Sequence, residues 1–383
     1  AASPAEPPTG RSDRPDRPES PGRPDRPDRC DEALVGGEQA ALLQLALLST
    51  GTIGTLAPLP RKLVHDRLRK TVTHEVGHAL GLRHNFRASA DVPMARLADP
   101  AWVREHGAAS SVMDYPGLNL PRQLDTLNLD FPFYSPGLGD ADLLAITYGY
   151  APSEAAAQAA VRAFGERGFS FATDDEDDAP GAVDPLVNQH DLGDDPLQWG
   201  RERAELVRSI VPQLPGRLLK PGERYGELSL AVSRLMTAYF RALAPLVKYV
   251  GGQYRVRDRV GDPGTRPPFA VVPKAKQRAA LAVLLEYALA DNPLQLSAEV
   301  LGALGHKDTL VGLVPMMDLL SGLEVPAGNI RVVAGSHYMF SVGPDTAFQH
   351  AQNRELAVND ILDLHDRALQ LQKTGKGGSR GFG

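Results

Sequence analysis

His74-Glu75-Val76-Gly77-His78-Ala79-Leu80-Gly81-Leu82-Arg83-His84 is the stretch whose reading decides the fold, because it sets three imidazoles, a carboxylate and a turn glycine at spacings that chemistry can use. On a helix His74 and His78 stand at i and i+4, roughly 40° apart around the axis, so both can face one ion. Glu75 lies beside them, placed to act on a bound water. Gly81 falls where a helix commonly stops with a residue at positive φ, and the chain can then bring His84 back as a third ligand. Three neutral imidazoles leave a tetrahedral zinc ion one open position. Around them Leu68, Val72, Val76 and Leu80 recur every fourth residue and predict a core stripe. His74 and His78 lie about 200° from Val72 and Val76, on a face expected to line a cleft.

Composition narrows the setting of this stretch. The 383 residues, 42% of them hydrophobic, can build one large domain or two. A formal net charge of −6 offers no basic field to nucleic acid, and the Lys and Arg residues are dispersed. No apolar run approaches the ~18 to 20 residues of a membrane span, and the start lacks the basic-then-apolar order of a signal peptide. The chain begins without Met, as a processed or truncated product would. Cys30 is the single cysteine, which excludes an internal disulfide and a thiolate zinc site. Metal chemistry here falls to His and carboxylates.

In chain order, residues 1–32 repeat Pro, Asp and Arg without apolar periodicity and predict a solvated, disordered tail. Residues 33–152 form the unit that carries the metal motif. It opens with an apolar stretch dense in Leu42, Leu43, Leu45, Leu47 and Leu48, which predicts a buried helix. It closes with a helix that Asp140 can cap. Residues 153–373 predict a mostly helical C-terminal region, with helices over 154–167, 196–211, 223–250 (bent at Pro245), 274–290 and around Ile361. A small hairpin is expected at 329–342, turning at Gly335-Ser336, and residues 374–383 form a flexible tail. The acidic run Asp174-Asp175-Glu176-Asp177-Asp178 could supply oxygen ligands to Ca²⁺, or could be a solvated loop, since it lacks EF-hand spacing. His65, His106, His190, His306, His337, His350 and His365 have no partner at ligand spacing.

The stretch from His74 to His84 resembles the extended zinc signature of metzincin metalloproteases. Ser111-Val112-Met113-Asp114-Tyr115 resembles their Met-turn, and it follows the ligands as that family requires. Asn85-Phe86, Asp191-Leu192-Gly193-Asp194-Asp195-Pro196, Tyr249-Val250-Gly251-Gly252-Gln253-Tyr254 and Gln277-Arg278-Ala279-Ala280-Leu281 are similar to a group of bacterial zinc-dependent metalloproteases with a long helical C-terminal region, over roughly residues 60–320. The resemblance implies His74, His78 and His84 as ligands of one Zn²⁺ and Met113 as an apolar floor beneath it, a place that also suits an ordinary core methionine. It implies Glu75 as general base, and Tyr115 as oxyanion partner, although a turn tyrosine can equally be a packed aromatic.

The fold implied is mainly α. It is the lower part of a metzincin-like zincin catalytic domain, which is α+β in the family, followed by the helical region. The sheet that precedes the active-site helix in the family has no counterpart in residues 33–61, so missing upstream sequence is expected. The activity implied is that of a zinc-dependent endopeptidase acting on protein or peptide substrates, secreted or periplasmic. The alternative is a non-catalytic zinc-containing binding or scaffold chain. Oligomeric state is not legible.

Overall fold

The computed structural model describes residues 32–54, 58–177, 183–258, 260, 266–290, 292–304, 330–333 and 339–342. Its helices run in the order α1 (Glu32–Ser49), α2 (Arg61–Ala79), α3 (Met94–Leu97), α4 (Pro100–His106), α5 (Asp140–Gly149), α6 (Glu154–Glu166), α7 (Asp174–Asp177), α8 (Pro196–Ile210), α9 (Leu214–Leu218), α10 (Tyr225–Val247), α11 (Lys274–Tyr287) and α12 (Ala298–Ala303). The described chain is therefore mainly helical, as the periodicity predicts. Its strands form two small antiparallel pairs. In one, β1 (Gln253–Arg255) pairs with β2 (Phe269–Val271), with Tyr254 opposite Ala270. In the other, β3 (Ile330–Val333) pairs with β4 (Met339–Val342), where the sequence predicts a hairpin. The expected turn of that hairpin, the helix around Ile361, the C-terminal tail and residues 1–31 of the expected N-terminal tail, Cys30 included, lie outside the described residues, and Glu32 opens α1.

The main core gathers around α10. Leu228, Val232, Leu235, Tyr239, Leu243 and Leu246 follow a helical 4-3-4-4-3 spacing and are all buried. They pack with Leu206, Val207 and Ile210 of α8, Leu281, Leu284 and Tyr287 of α11, and the leucines of α1. Each such side chain contributes roughly 1.5–3 kcal/mol by leaving water. The Tyr239 hydroxyl donates to the carbonyls of Tyr287 and Pro293 at 2.9 and 2.7 Å, so its polar end is satisfied inside the apolar layer. By length and composition α10 is also apolar enough to cross a bilayer, which corrects the sequence reading that no such run exists. It is mostly buried here, as the central helix of a core is.

A different kind of packing holds the segment from Gly81 to Asp195. Its helices are short, and its turns are fastened by side-chain hydrogen bonds. Asp142, not Asp140, secures the start of α5 by accepting from Gly139 N at 2.8 Å. Asp140 instead pairs with Arg167. Further bonds join the residues before and after 152, because residues 170–177 and 183–191 pack on residues 85–117. Asn85 Nδ2 donates to Ser170 O (3.0 Å), Phe86 N to Ala172 O (2.8 Å), and His190 N to Tyr115 O (2.7 Å).

The orientation of α2 differs from the expectation. Leu68 is 59% exposed, Val72 52% and Val76 50%, whereas Leu63, Lys70, His74 and Gly77 are buried. The covered face is the polar one. Met113 and Leu82 pack against Gly77, and the Val112 carbonyl reaches His74, while no described element covers the apolar stripe. Hydrophobic periodicity locates a helix and its stripe. It cannot decide which side a distant loop will cover.

Candidate metal centre

Helix α2 delivers His74 and His78 one turn apart. It stops at Ala79, with Leu80 as its last helical residue by backbone angle, and Gly81 then takes φ +88°, the left-handed conformation expected of it. The reversal returns His84 to its partners. One ring nitrogen from each of His74, His78 and His84 lies within 4.8 Å of the others. His78 Nε2 and His84 Nε2 are 3.2 Å apart.

Each ring is oriented through its other nitrogen. His74 Nδ1 donates to Val112 O at 2.8 Å, His78 Nδ1 to Leu82 O at 3.0 Å, and His84 Nδ1 to Asp174 Oδ1 at 2.7 Å. Carbonyl and carboxylate oxygens only accept, so Nδ1 is the donor in each ring, which in the neutral tautomer leaves the lone pair on Nε2. The donor set therefore fits zinc. Two ligand nitrogens on a tetrahedral ion at ~2.0–2.1 Å stand about 3.3 Å apart, close to the His78–His84 separation, and outer partners of this kind are what metal-binding histidines require.

Beneath the ligands the turn at Met113 is held from three sides. Asp142 accepts from Ser111 Oγ and from Val112 N (2.6 Å), and Ser111 Oγ accepts from Met113 N (3.0 Å). Burial raises the Asp142 carboxyl above its ordinary range, against the hydrogen bonds it accepts. Met113 is fully enclosed, and its sulfur lies so close to Gly77 that a Cβ there would collide with it. The glycine inside the histidine motif is thus needed for a close approach. Asp114, wholly buried, accepts from Ser89 N at 2.7 Å and ties the turn to the segment after His84. Its carboxyl is raised well above normal by burial and by neighbouring Asp191. Asp191, pushed up to about 6 mainly by burial, accepts from Ser89 Oγ and from Asn188 Nδ2.

Tyr115 is buried, with its hydroxyl 2.9 Å from His84 Nε2, on the metal-facing side of that ring. Phe86 stacks on His84 at 5.1 Å and packs on Tyr115 at 5.3 Å. On the far side the His190 ring lies parallel to Tyr115 at 6.1 Å, with its backbone at φ 69°. Burial, followed by the Arg241 and Lys70 cations, pushes that imidazole down to about 3, so it is neutral. Glu75 is exposed on α2, between the two helical histidines in sequence.

The sequence-predicted histidines and Tyr115 are therefore together, and Glu75 is exposed on the same helix, next to His74 in sequence. Sequence reasoning missed Asp142, Asp174 and His190. Their partners lie 31, 90 and 75 residues away in the chain, and no local spacing marks them. The acidic run does not behave as a cation loop. Glu176 receives Arg257, and Asp177 receives Lys248 and Gln189, so these carboxylates are already engaged and calcium is not supported. Among the described residues the His74–His78–His84 group alone has metal-ligand geometry.

A family model described as Met-zincin matches residues 57–330, most of the chain. No curated protein and no solved structure matches.

Proposed function

We propose that this chain, which belongs to the Met-zincin family, hydrolyses peptide bonds as a zinc-dependent endopeptidase, with His74, His78 and His84 as ligands, Glu75 as general base and Tyr115 as oxyanion partner. The observation that carries the reading is the set of three Nδ1 hydrogen bonds, which leaves the Nε2 atoms of the three grouped rings as the candidate ligands. A zinc ion bound there would polarise a substrate carbonyl and bring the pKa of a water toward ~7.

The remaining roles belong to side chains. Glu75, next to His74 on α2, takes a proton from the attacking water and passes it to the leaving amine. Its exposure leaves it reachable by substrate. The Tyr115 hydroxyl, held at 2.9 Å from His84 Nε2 by the packing of Phe86 and His190, donates to the carbonyl oxygen as negative charge develops on it. Met113 keeps water from the underside of the ligands and takes no part in proton transfer.

Cleavage of a generic unfolded protein by the zinc-loaded chain, with and without chelator, tests the reading alongside Glu75→Gln. Chelator-sensitive cleavage is expected in the wild type, and the variant is expected to keep its zinc while turnover falls by about 10²–10⁴-fold. Full turnover in the variant would remove Glu75 from the base role. Zinc retained by a wild type that cleaves nothing would favour the non-catalytic binding chain.

A further inference from the structure

We propose that Asp174 is a positioning residue of the metal centre, fixing the tautomer and orientation of His84, and that the downstream helical region holds it in place. The proposal rests on the reading of the three histidines as zinc ligands and deepens it. His74 and His78 are oriented by backbone carbonyls, but His84 is oriented by a carboxylate, at 2.7 Å. A charged acceptor makes the stronger hydrogen bond and raises the donor strength of the opposite ring nitrogen.

The carboxylate is fixed at both oxygens. Oδ1 takes His84, while Oδ2 accepts from Thr173 Oγ1 at 2.9 Å and stands 3.9 Å from the Arg83 guanidinium. The short helix that bears it is clamped in turn. Glu176 accepts from Thr173 N (2.9 Å) and from Arg257 Nε (3.0 Å). Lys248, just past the end of α10, donates to Asp177 and to Val187 O, both at 2.6 Å. An acidic run that reads as a solvated loop is thus an arm between the helical layer and the third ligand. Asp175 supplies an internal control. Its side chain is 82% exposed, it lies 3.8 Å from Arg83, and it has no bond to a histidine among the described residues.

The test is zinc affinity of the whole chain by chelator competition, for wild type, Asp174→Ala, Asp174→Asn and Asp175→Ala, with the unfolding midpoint of each zinc-free protein measured beside it. Asp174→Ala is expected to weaken zinc by about 10–100-fold without lowering the zinc-free midpoint. Asp174→Asn, which keeps the shape and loses the charge, should fall between it and wild type, and Asp175→Ala should stay within about twofold of wild type. If alanine unsettles the loop, the asparagine variant decides: weakened zinc supports the proposal and unchanged affinity overturns it. Equal losses from Asp174→Ala and Asp175→Ala would also overturn it, by reducing the effect to general acidity. A wild type that takes up no zinc would sink the underlying ligand reading, a result distinct from a wild type and an Asp174 variant that bind zinc equally well.

Discussion

The helical layer of α8, α10 and α11 and the turns around the metal site differ in how they are held, although Leu118, Leu120, Leu127, Phe131 and Phe133 of the intervening segment join the helical core. The first is a periodic apolar core with few polar groups inside it. The second buries Asp114, Asp142, Asp191, Asn85 and Ser89 and holds its turns by the hydrogen bonds these residues make. Apolar packing tolerates small shifts because it is non-directional, whereas a carboxylate fastened to two or three donors fixes position closely. The site is built from the second kind of structure because ligand nitrogens need fixed directions.

That contrast can be broken by mutation. Leu243→Ala removes a fully buried side chain from the helical layer, and a loss of about 2–5 kcal/mol is expected, seen in the denaturant midpoint. The folded fraction should bind zinc as wild type does. A large fall in zinc affinity would show that the two regions are less separable than their packing suggests.

Asp142→Ala is the reverse case. It strips acceptors from Ser111, Val112 and Gly139, at a cost of about 1–3 kcal/mol, smaller than the core truncation. Zinc affinity should nevertheless drop, by up to about tenfold, because Val112 O is the acceptor that orients His74. Chelator competition reads this directly. Unchanged affinity would mean that the turn keeps its place without Asp142.

The same contrast explains how much could be read from the chain. The helices of the apolar layer were legible because their signal is local: α10 repeats buried residues at helical spacing, and α1 carries its leucines together. The ligands were legible for a similar reason, since i, i+4 spacing and a positive-φ glycine are properties of eleven consecutive residues. The buried side of α2 was not. Its apolar stripe at Leu68, Val72 and Val76 is exposed because a loop some 35 residues later covers the opposite face. Nor were Asp142 and Asp174 legible, because a carboxylate in a loop has no period, and its partner is decided by tertiary packing.

The central claim is that three Nε2 atoms hold one zinc ion while three Nδ1 atoms are held from outside. Zinc content by elemental analysis, joined to X-ray absorption at the zinc edge of the purified chain, tests it most directly. The account predicts about one zinc per chain with three imidazole nitrogens at ~2.0–2.1 Å and one oxygen ligand. Zinc well below stoichiometry in a folded chain, or a first shell with fewer than three imidazoles, would contradict it.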